Sequence, residues 1–195
     1  MKLTVGFGVV STFCIALFLG SCATGSSTQS DQEQALDRYR ANCETVRKYE
    51  ESWCEEHLDY DAFYNDSAFI VSVSFGPLDT LTVSDNQRTH QRMWEGYDFE
   101  IHGPIRFVPG VHPEELRIDG SVRMYIQLKV TSELTGRSVV LPVYEEYDFD
   151  EEGKITRLIY YGDLKAGFQS IDSIETGSSV RLEDGERTPA SPSTP

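Results

Sequence analysis

The segment 144–163, YEEYDFDEEGKITRLIYYGD, carries the pattern that decides the fold of this 195-residue chain. Apolar or aromatic side chains occupy every second position up to Phe149 apart from Glu145, and residues 155–161 are rich in Ile, Leu and Tyr; both features are typical of β-strands. Between them, residues 150–154, DEEGK, are polar and contain a glycine, as turns commonly do. The segment therefore predicts a β-hairpin.

The same period predicts the strands around this hairpin. Its first strand extends back to Val139, and two further alternating stretches lie at 99–107 and 122–130. Residues 68–75 are rich in Phe, Val and Ser and have the composition of another strand.

Helical spacing dominates the part of the chain before these strands. Apolar residues recur every three or four positions over 32–56, which predicts a long amphipathic helix. A short helix capped by Asp59 is predicted at 58–64. A third is predicted at 84–97, where a Ser followed three residues later by a Gln forms a capping-box pattern. Because helices come first and antiparallel strands follow, we expect an α+β fold.

This order of elements, together with several local motifs, resembles the nuclear transport factor 2-like (NTF2-like) superfamily, especially its SnoaL-like and ketosteroid-isomerase-like branch. The motifs are YEESW at 49–53, LD at 58–59, NDSAF at 65–69, YEEYDFDEEGKI at 144–155 and ITRLIYYGD at 155–163. The resemblance implies a cone-shaped roll, with N-terminal helices packed in a curved antiparallel sheet and a pocket at the open end. Two stretches, 75–83 and 107–116, look like longer loops than usual.

The N terminus has the pattern of a secretory signal. Residues 1–21 hold one cation and no acidic residue, and their apolar run ends in small residues. The sequence LGSC at 19–22 resembles the lipobox of bacterial lipoproteins, which implies a lipid on Cys22 and a place in the bacterial cell envelope. Ala23 after the Cys favours the outer membrane, on its periplasmic side or at the cell surface, in a cell with two membranes. An ordinary signal peptide is the alternative.

Composition then divides the chain into four parts. A lipoprotein signal peptide (1–21) precedes a small, polar, lipid-anchored flexible tether (22–30). The NTF2-like domain is expected at 31–171. Residues 172–195, acidic and rich in Pro, are predicted to be a disordered tail.

Charge and motifs exclude several classes of function. The formal net charge of −15 repels phosphate backbones, so nucleic-acid binding is not expected. No nucleotide-binding or nucleophile-elbow motif occurs, and the sequence indicates no cofactor. His57, His90, His102 and His112 lack metal-ligand spacing, so no metal site is expected either.

The two cysteines of the domain, Cys43 and Cys54, lie eleven residues apart in the first predicted helix. That spacing separates them by about 16 Å along the helix axis, which is too far for a disulfide within the chain. We expect buried thiols, with an intermolecular bridge as the alternative.

Glu145 is the strongest candidate for a catalytic residue. Alternation from Val139 places it in the middle of an apolar and aromatic strand face, where an unpaired charge is costly. By resemblance, this position matches the carboxylate that the SnoaL-like branch often places inside the pocket. Two alternatives are a Glu145 paired with Lys or Arg at an edge or dimer face, and an inverted strand in which Glu146 points inward.

Aromatic residues are the other candidates for a ligand site. Seven lie on elements that would form the walls of the cone: Tyr49, Trp53, Tyr64, Trp94, Tyr97, Tyr147 and Tyr160. We predict ligand contacts for Trp53, Tyr64, Trp94 and Tyr147, and for His90, which lies one turn before Trp94. Core packing is the alternative role for each of them.

Two functions follow from these observations. The first is an envelope lipoprotein whose pocket binds a small, partly apolar ligand or a protein partner without catalysis. The alternative is a SnoaL-like isomerase, cyclase or dehydratase that uses Glu145 as general base. Either function is compatible with a homodimer formed through the outer face of the sheet.

Overall fold

The computed structural model describes residues 25–73 and 79–173. The predicted signal peptide, Cys22 and residues 174–195 of the predicted tail lie outside the described residues. Within the described ranges, no helix is both long enough and apolar enough to cross a membrane.

Four helices are described: α1 (Gly25–Cys54), α2 (Tyr60–Phe63), α3 (Val83–Trp94) and α4 (Leu164–Asp172). Helix α1 begins at Gly25 rather than at Gln32, and it includes residues 25–30 of the predicted tether. Asp59 caps α2 as predicted, accepting a hydrogen bond from the backbone N–H of Ala62.

The capping box of α3 lies two residues before the predicted Ser84 and Gln87. The Thr82 hydroxyl accepts from the Asp85 N–H, and the Asp85 carboxylate accepts from the Thr82 N–H. This pair has the same spacing as the predicted one. The negative charge of Asp85 is favourable at a helix N-terminus, which explains why this pair forms the capping box rather than Ser84 and Gln87.

Seven strands form one sheet in the order β2-β1-β7-β6-β5-β3, and β4 also pairs with β5. They are β1 (Tyr64–Val73), β2 (Asp79–Thr82), β3 (Tyr97–Ile101), β4 (Arg106–Val111), β5 (Ile118–Ser132), β6 (Ser138–Phe149) and β7 (Ile155–Tyr161). Every pair is antiparallel except β1 with β7, which is parallel. The hairpin of β6 and β7 therefore forms as predicted, whereas the expectation of a wholly antiparallel sheet is wrong for this one pair.

The predicted strand at 99–107 is two strands in the structure. β3 pairs with the C-terminal half of the long strand β5, and β4 pairs with its N-terminal half. The break between them contains Gly103, whose φ of +90° is a conformation that glycine adopts easily, and then Pro104, which lacks an N–H. Parts of the two predicted loops are also strands, because β2 and β4 lie within them.

The core forms where α1 packs in the concave face of the sheet. Val46 of α1 and Val122 and Met124 of β5 are fully buried. Cys43 and Cys54 both lie on α1 as free cysteines, and burial raises their pKa values, to about 12 for Cys54. They are therefore thiols rather than thiolates in the ordinary pH range.

Helix α4, which the sequence patterns did not predict, closes one side of the cone. Its last residue, Asp172, accepts hydrogen bonds from the hydroxyls of Tyr97 and Ser132, the latter at 2.7 Å. Asp172, the first residue of the predicted tail, therefore makes hydrogen bonds to two strands of the domain.

Candidate functional site

A cavity of about 230 Å³ lies between α1, α3, α4 and the concave face of the sheet. Its walls are largely apolar, and the exposed Lys165 of α4 is at its mouth. The volume is several times what one water occupies in the liquid, about 30 Å³. The polar and aromatic residues that line it are Tyr49, Glu50, Trp53, Ser72, Asn86, Thr89, His90, Glu145, Tyr160 and Lys165.

Glu145 points into this cavity from the middle of β6. Its relative exposure is 7%, and its neighbours on the same face, Val143 and Tyr147, are buried as well. Glu146 lies on the opposite face, 3.6 Å from Arg123. The prediction that Glu145 faces inward is confirmed, and the two alternatives for this strand are wrong.

A second buried carboxyl, Glu50 of α1, meets Glu145 at the floor of the cavity. Glu50 is only 3% exposed, and the hydroxyl of Tyr147 is within hydrogen-bonding distance of both carboxyl groups. Glu50 was not among the predicted site residues. It follows Val46 by four residues on the buried face of α1, so the argument that identified Glu145 also applies to it.

The surroundings of the carboxyl pair favour its protonated form. Burial raises the pKa of Glu145 well above its ordinary value of 4.5, and the neighbouring Glu50 raises it further; burial also raises the pKa of Glu50. No described Lys or Arg lies within ion-pair distance of either group. Because one phenol proton cannot serve two carboxylates fully, the three groups are best satisfied when one carboxyl holds a proton of its own.

Tyrosine hydroxyls surround the pair. The hydroxyls of Tyr49 and Tyr64 are 2.8 Å apart, and the ring of Tyr49 also contacts that of Tyr147. Tyr160 lies directly opposite Glu145 on β7, and its buried hydroxyl has no hydrogen-bond partner among the described residues. A Cβ on Gly162 would lie 2.7 Å from Cζ of Tyr160, so a larger residue here would displace this ring.

Two of the five predicted ligand residues, Trp53 and His90, line the cavity. The other three contact the site from behind. Tyr147 is fully buried beneath the carboxyl pair, Tyr64 is joined to the site through Tyr49, and Trp94 packs on His90 with ring centroids 5.8 Å apart. Among the described residues, no group of three or more His, Cys, Asp or Glu could hold a metal ion.

Comparisons with known proteins find the same fold. No protein-family model and no curated protein sequence matches the chain. A candidate isomerase from Bacillus subtilis has a TM-score of 0.56 and 12% identity, covering 69% of this chain and 94% of its own.

Two further solved structures are similar. An NTF2-like protein from Burkholderia xenovorans LB400 has a TM-score of 0.51 and 13% identity, over 68% of this chain and 97% of its own. A candidate SnoaL-like polyketide cyclase from Jannaschia sp. CCS1 has a TM-score of 0.50 and 15% identity, over 68% and 92%. At these identities the likeness establishes the fold and leaves the chemistry to the site itself.

The raised pKa of Glu145 makes stability depend on pH. Above about pH 4.5, the unfolded chain releases a proton that the folded protein keeps, so stability falls until the pH passes the raised pKa. We expect Glu145→Gln to be more stable than the wild type, with a difference that grows above pH 4.5 by up to about 1.4 kcal/mol per pH unit. Melting temperatures at pH 4, 5, 6, 7 and 8 would measure it.

The matched control is Glu51→Gln, at the exposed neighbour of Glu50 on α1. This variant should melt close to the wild type, because the Glu51 side chain lies at the surface. A Glu145→Gln difference that is flat or shrinks as the pH rises would show that Glu145 is ionised normally in the folded protein.

Proposed function

We propose that this chain, whose cone-shaped α+β fold is that of NTF2-like proteins, is an enzyme that moves a proton on a small, largely apolar carbonyl compound. Isomerisation, cyclisation and dehydration are the reaction types that this step supports. The observation that carries the proposal is the carboxyl pair of Glu50 and Glu145, buried in a largely apolar cavity with no described Lys or Arg in ion-pair distance. Such a pair destabilises the fold, so its presence needs a function.

With one carboxyl ionised and the other protonated, the pair offers both the base and the acid that acid–base catalysis requires. One carboxylate accepts a proton from the carbon beside the carbonyl, and an enol or enolate forms. The partner carboxyl returns its proton at the oxygen or at a second carbon, and Tyr147 connects the two groups. The pair ends with one proton, as it began. Glu145, predicted as a general base, therefore acts together with Glu50.

Non-catalytic binding was the first interpretation of the sequence, and the site favours the alternative. An apolar ligand gains nothing from a buried negative charge, and a purely binding cavity would be more stable with Gln at these positions. The structural neighbours described as an isomerase and as a polyketide cyclase also support the catalytic interpretation.

Deuterium exchange tests the proposal. The wild type in D2O should incorporate deuterium beside the carbonyl of small cyclic ketones, such as 2-indanone, 2-tetralone and cyclohexenone, faster than buffer does. Glu145→Gln and Glu50→Gln should each lower the rate by roughly 100-fold or more, because general acid–base catalysis contributes about that much. Glu51→Gln is the control and should exchange at the wild-type rate. Proton NMR measures the rates.

Ketones that bind, shown by shifts in the protein amide spectrum, and yet exchange no faster than in buffer would establish the non-catalytic alternative. Equal rates for Glu145→Gln and the wild type would remove Glu145 from the reaction.

We also propose that this domain is held at the bacterial cell envelope by lipid on Cys22, on the outer membrane where the cell has two membranes. The support is the LGSC sequence at 19–22 after an apolar run. The strongly acidic chain is repelled by anionic headgroups, so the lipid would supply the membrane affinity.

Labelled palmitate tests the anchor. The wild type should carry the label and sediment with membranes, whereas Cys22→Ala should lose both properties. Cys43→Ala is the control for labelling of a cysteine within the domain and should keep the label. Equal labelling of the wild type and Cys22→Ala would contradict the anchor.

A homodimer through the outer sheet face remains part of the proposal. Tyr125, Tyr144 and Tyr161 form a row of rings on that face, with centroids 4.7 and 5.2 Å apart. Tyr125 is 48% exposed and Tyr161 36%, so the row offers aromatic surface to a second copy of the chain.

A further inference from the structure

The wall of the cavity formed by α3 and α1 carries buried N–H donors without partners. Nδ2 of Asn86 and Nε1 of Trp53 have no hydrogen-bond partner among the described residues, and the two residues are 6% and 7% exposed. Both residues line the cavity. A buried donor left unpaired destabilises the folded protein, so two on one wall indicate a ligand group that pairs with them.

His90 adds a third donor to this wall. It lies four residues after Asn86 on the same face of α3, and its ring centroid is 5.6 Å from that of Trp53. Burial lowers the pKa of His90 to about 3, so the imidazole is neutral and has one donor and one acceptor nitrogen.

Tyr60 determines which nitrogen of His90 is the donor. Its hydroxyl lies 2.7 Å from Nδ1 of His90, and burial raises the pKa of this phenol, so it keeps its proton. Among the described residues, the Tyr60 hydroxyl has no other hydrogen-bond partner, so the phenol donates to Nδ1. The imidazole proton is then on Nε2, the nitrogen left for the cavity.

We propose that Asn86, Trp53 and His90 form a subsite that binds an uncharged oxygen acceptor of the ligand, with Tyr60 as the positioning residue that sets the His90 tautomer. The subsite specifies how the proposed enzyme would hold its substrate. Its part in the reaction rests on the proposed function, whereas binding of the oxygen does not. It would hold the oxygen of the substrate at α3 while the adjacent carbon faces Glu145.

The chemistry of the wall discriminates among ligand classes. An ammonium group has no acceptor to offer to the indole N–H of Trp53. A carboxylate would meet no cation on this wall and would face the negative carboxyl pair across the cavity, since Lys165 is at the mouth. A neutral carbonyl or ether oxygen satisfies the donors without adding charge.

Binding to matched probes tests the subsite. The three probes share one carbon skeleton: indane has no oxygen, 2-indanone has a neutral acceptor, and indane-2-carboxylate has a charged one. For the wild type we expect 2-indanone to bind about tenfold more tightly than indane, as one or two neutral hydrogen bonds allow. We expect the carboxylate to bind more weakly than the ketone. Amide-shift titrations by NMR give the dissociation constants.

Asn86→Leu should abolish most of the preference for the ketone over indane. Because the change removes an unpaired buried donor, the variant should melt at or above the wild-type temperature. Gln91→Leu, at an exposed amide of the same helix, is the control and should keep the preference. If Asn86→Leu does not fold, Trp53→Phe removes the indole donor and provides the same comparison of ketone with indane.

The tautomer of His90 can be measured separately from ligand binding. In ¹⁵N spectra of the wild type, His90 should show a protonated Nε2 and an acceptor Nδ1 at neutral pH, and Tyr60→Phe should shift it towards a mixture of tautomers. Equal binding of ketone and indane by the wild type, tighter binding of the carboxylate, or a protonated Nδ1 would each overturn the subsite.

Failure of the subsite and failure of the proposed function are distinguishable. A ketone preference that Asn86→Leu removes, in a protein that exchanges no deuterium, would keep the subsite and reject catalysis. Deuterium exchange that depends on Glu145, in a protein that binds ketone and indane equally, would keep catalysis and reject the subsite.

Discussion

Two carboxyl groups buried side by side impose the constraint on which the rest of this structure depends. Glu50 comes from the first helix and Glu145 from the sixth strand, and the hydroxyl of Tyr147 bridges them. Both side chains are almost fully buried, which disfavours the fully charged form of the pair. The contacts of the Tyr147 hydroxyl with both carboxyl groups therefore hold α1 at one position relative to β6.

Packing elsewhere in the fold offsets the stability that is lost at this site. The buried pair and the unpartnered donors of Trp53, Asn86 and Tyr160 all destabilise the folded protein. Away from the cavity, α1 packs on the long strand β5, where Val122, Met124 and Val130 are fully buried. Most of the groups that weaken the fold thus line one cavity, whereas ordinary apolar packing holds the rest of the cone together.

The sequence predicted the hairpin and the inward orientation of Glu145 because both depend on local alternation. In β6, side chains from Val139 to Tyr147 alternate between the two faces of the strand, and the observed burial follows this alternation. The fold class followed from the order of helices and strands. The same local reasoning misplaced the capping box of α3, because two pairs of residues with the same spacing compete there.

What could not be predicted depends on which elements meet in space. The parallel pairing of β1 with β7 joins segments far apart in the chain, and the partners of Asp172 come from two different strands. For the same reason, the sequence did not reveal that Glu50 lies against Glu145. Tyr64 and Trp94 have the aromatic character of ligand residues, but they lie one layer behind those that line the cavity.

The central claim is that Glu50 and Glu145 share one proton in the folded protein at neutral pH. A carbon-13 NMR titration of the side-chain carboxyls, with both residues assigned through their Gln variants, tests it most directly. We expect one of the two signals to titrate well above 4.5 and Glu50→Gln to lower the pKa of Glu145, because Glu50 raises it. Two carboxyls that titrate independently near 4.5 would contradict it.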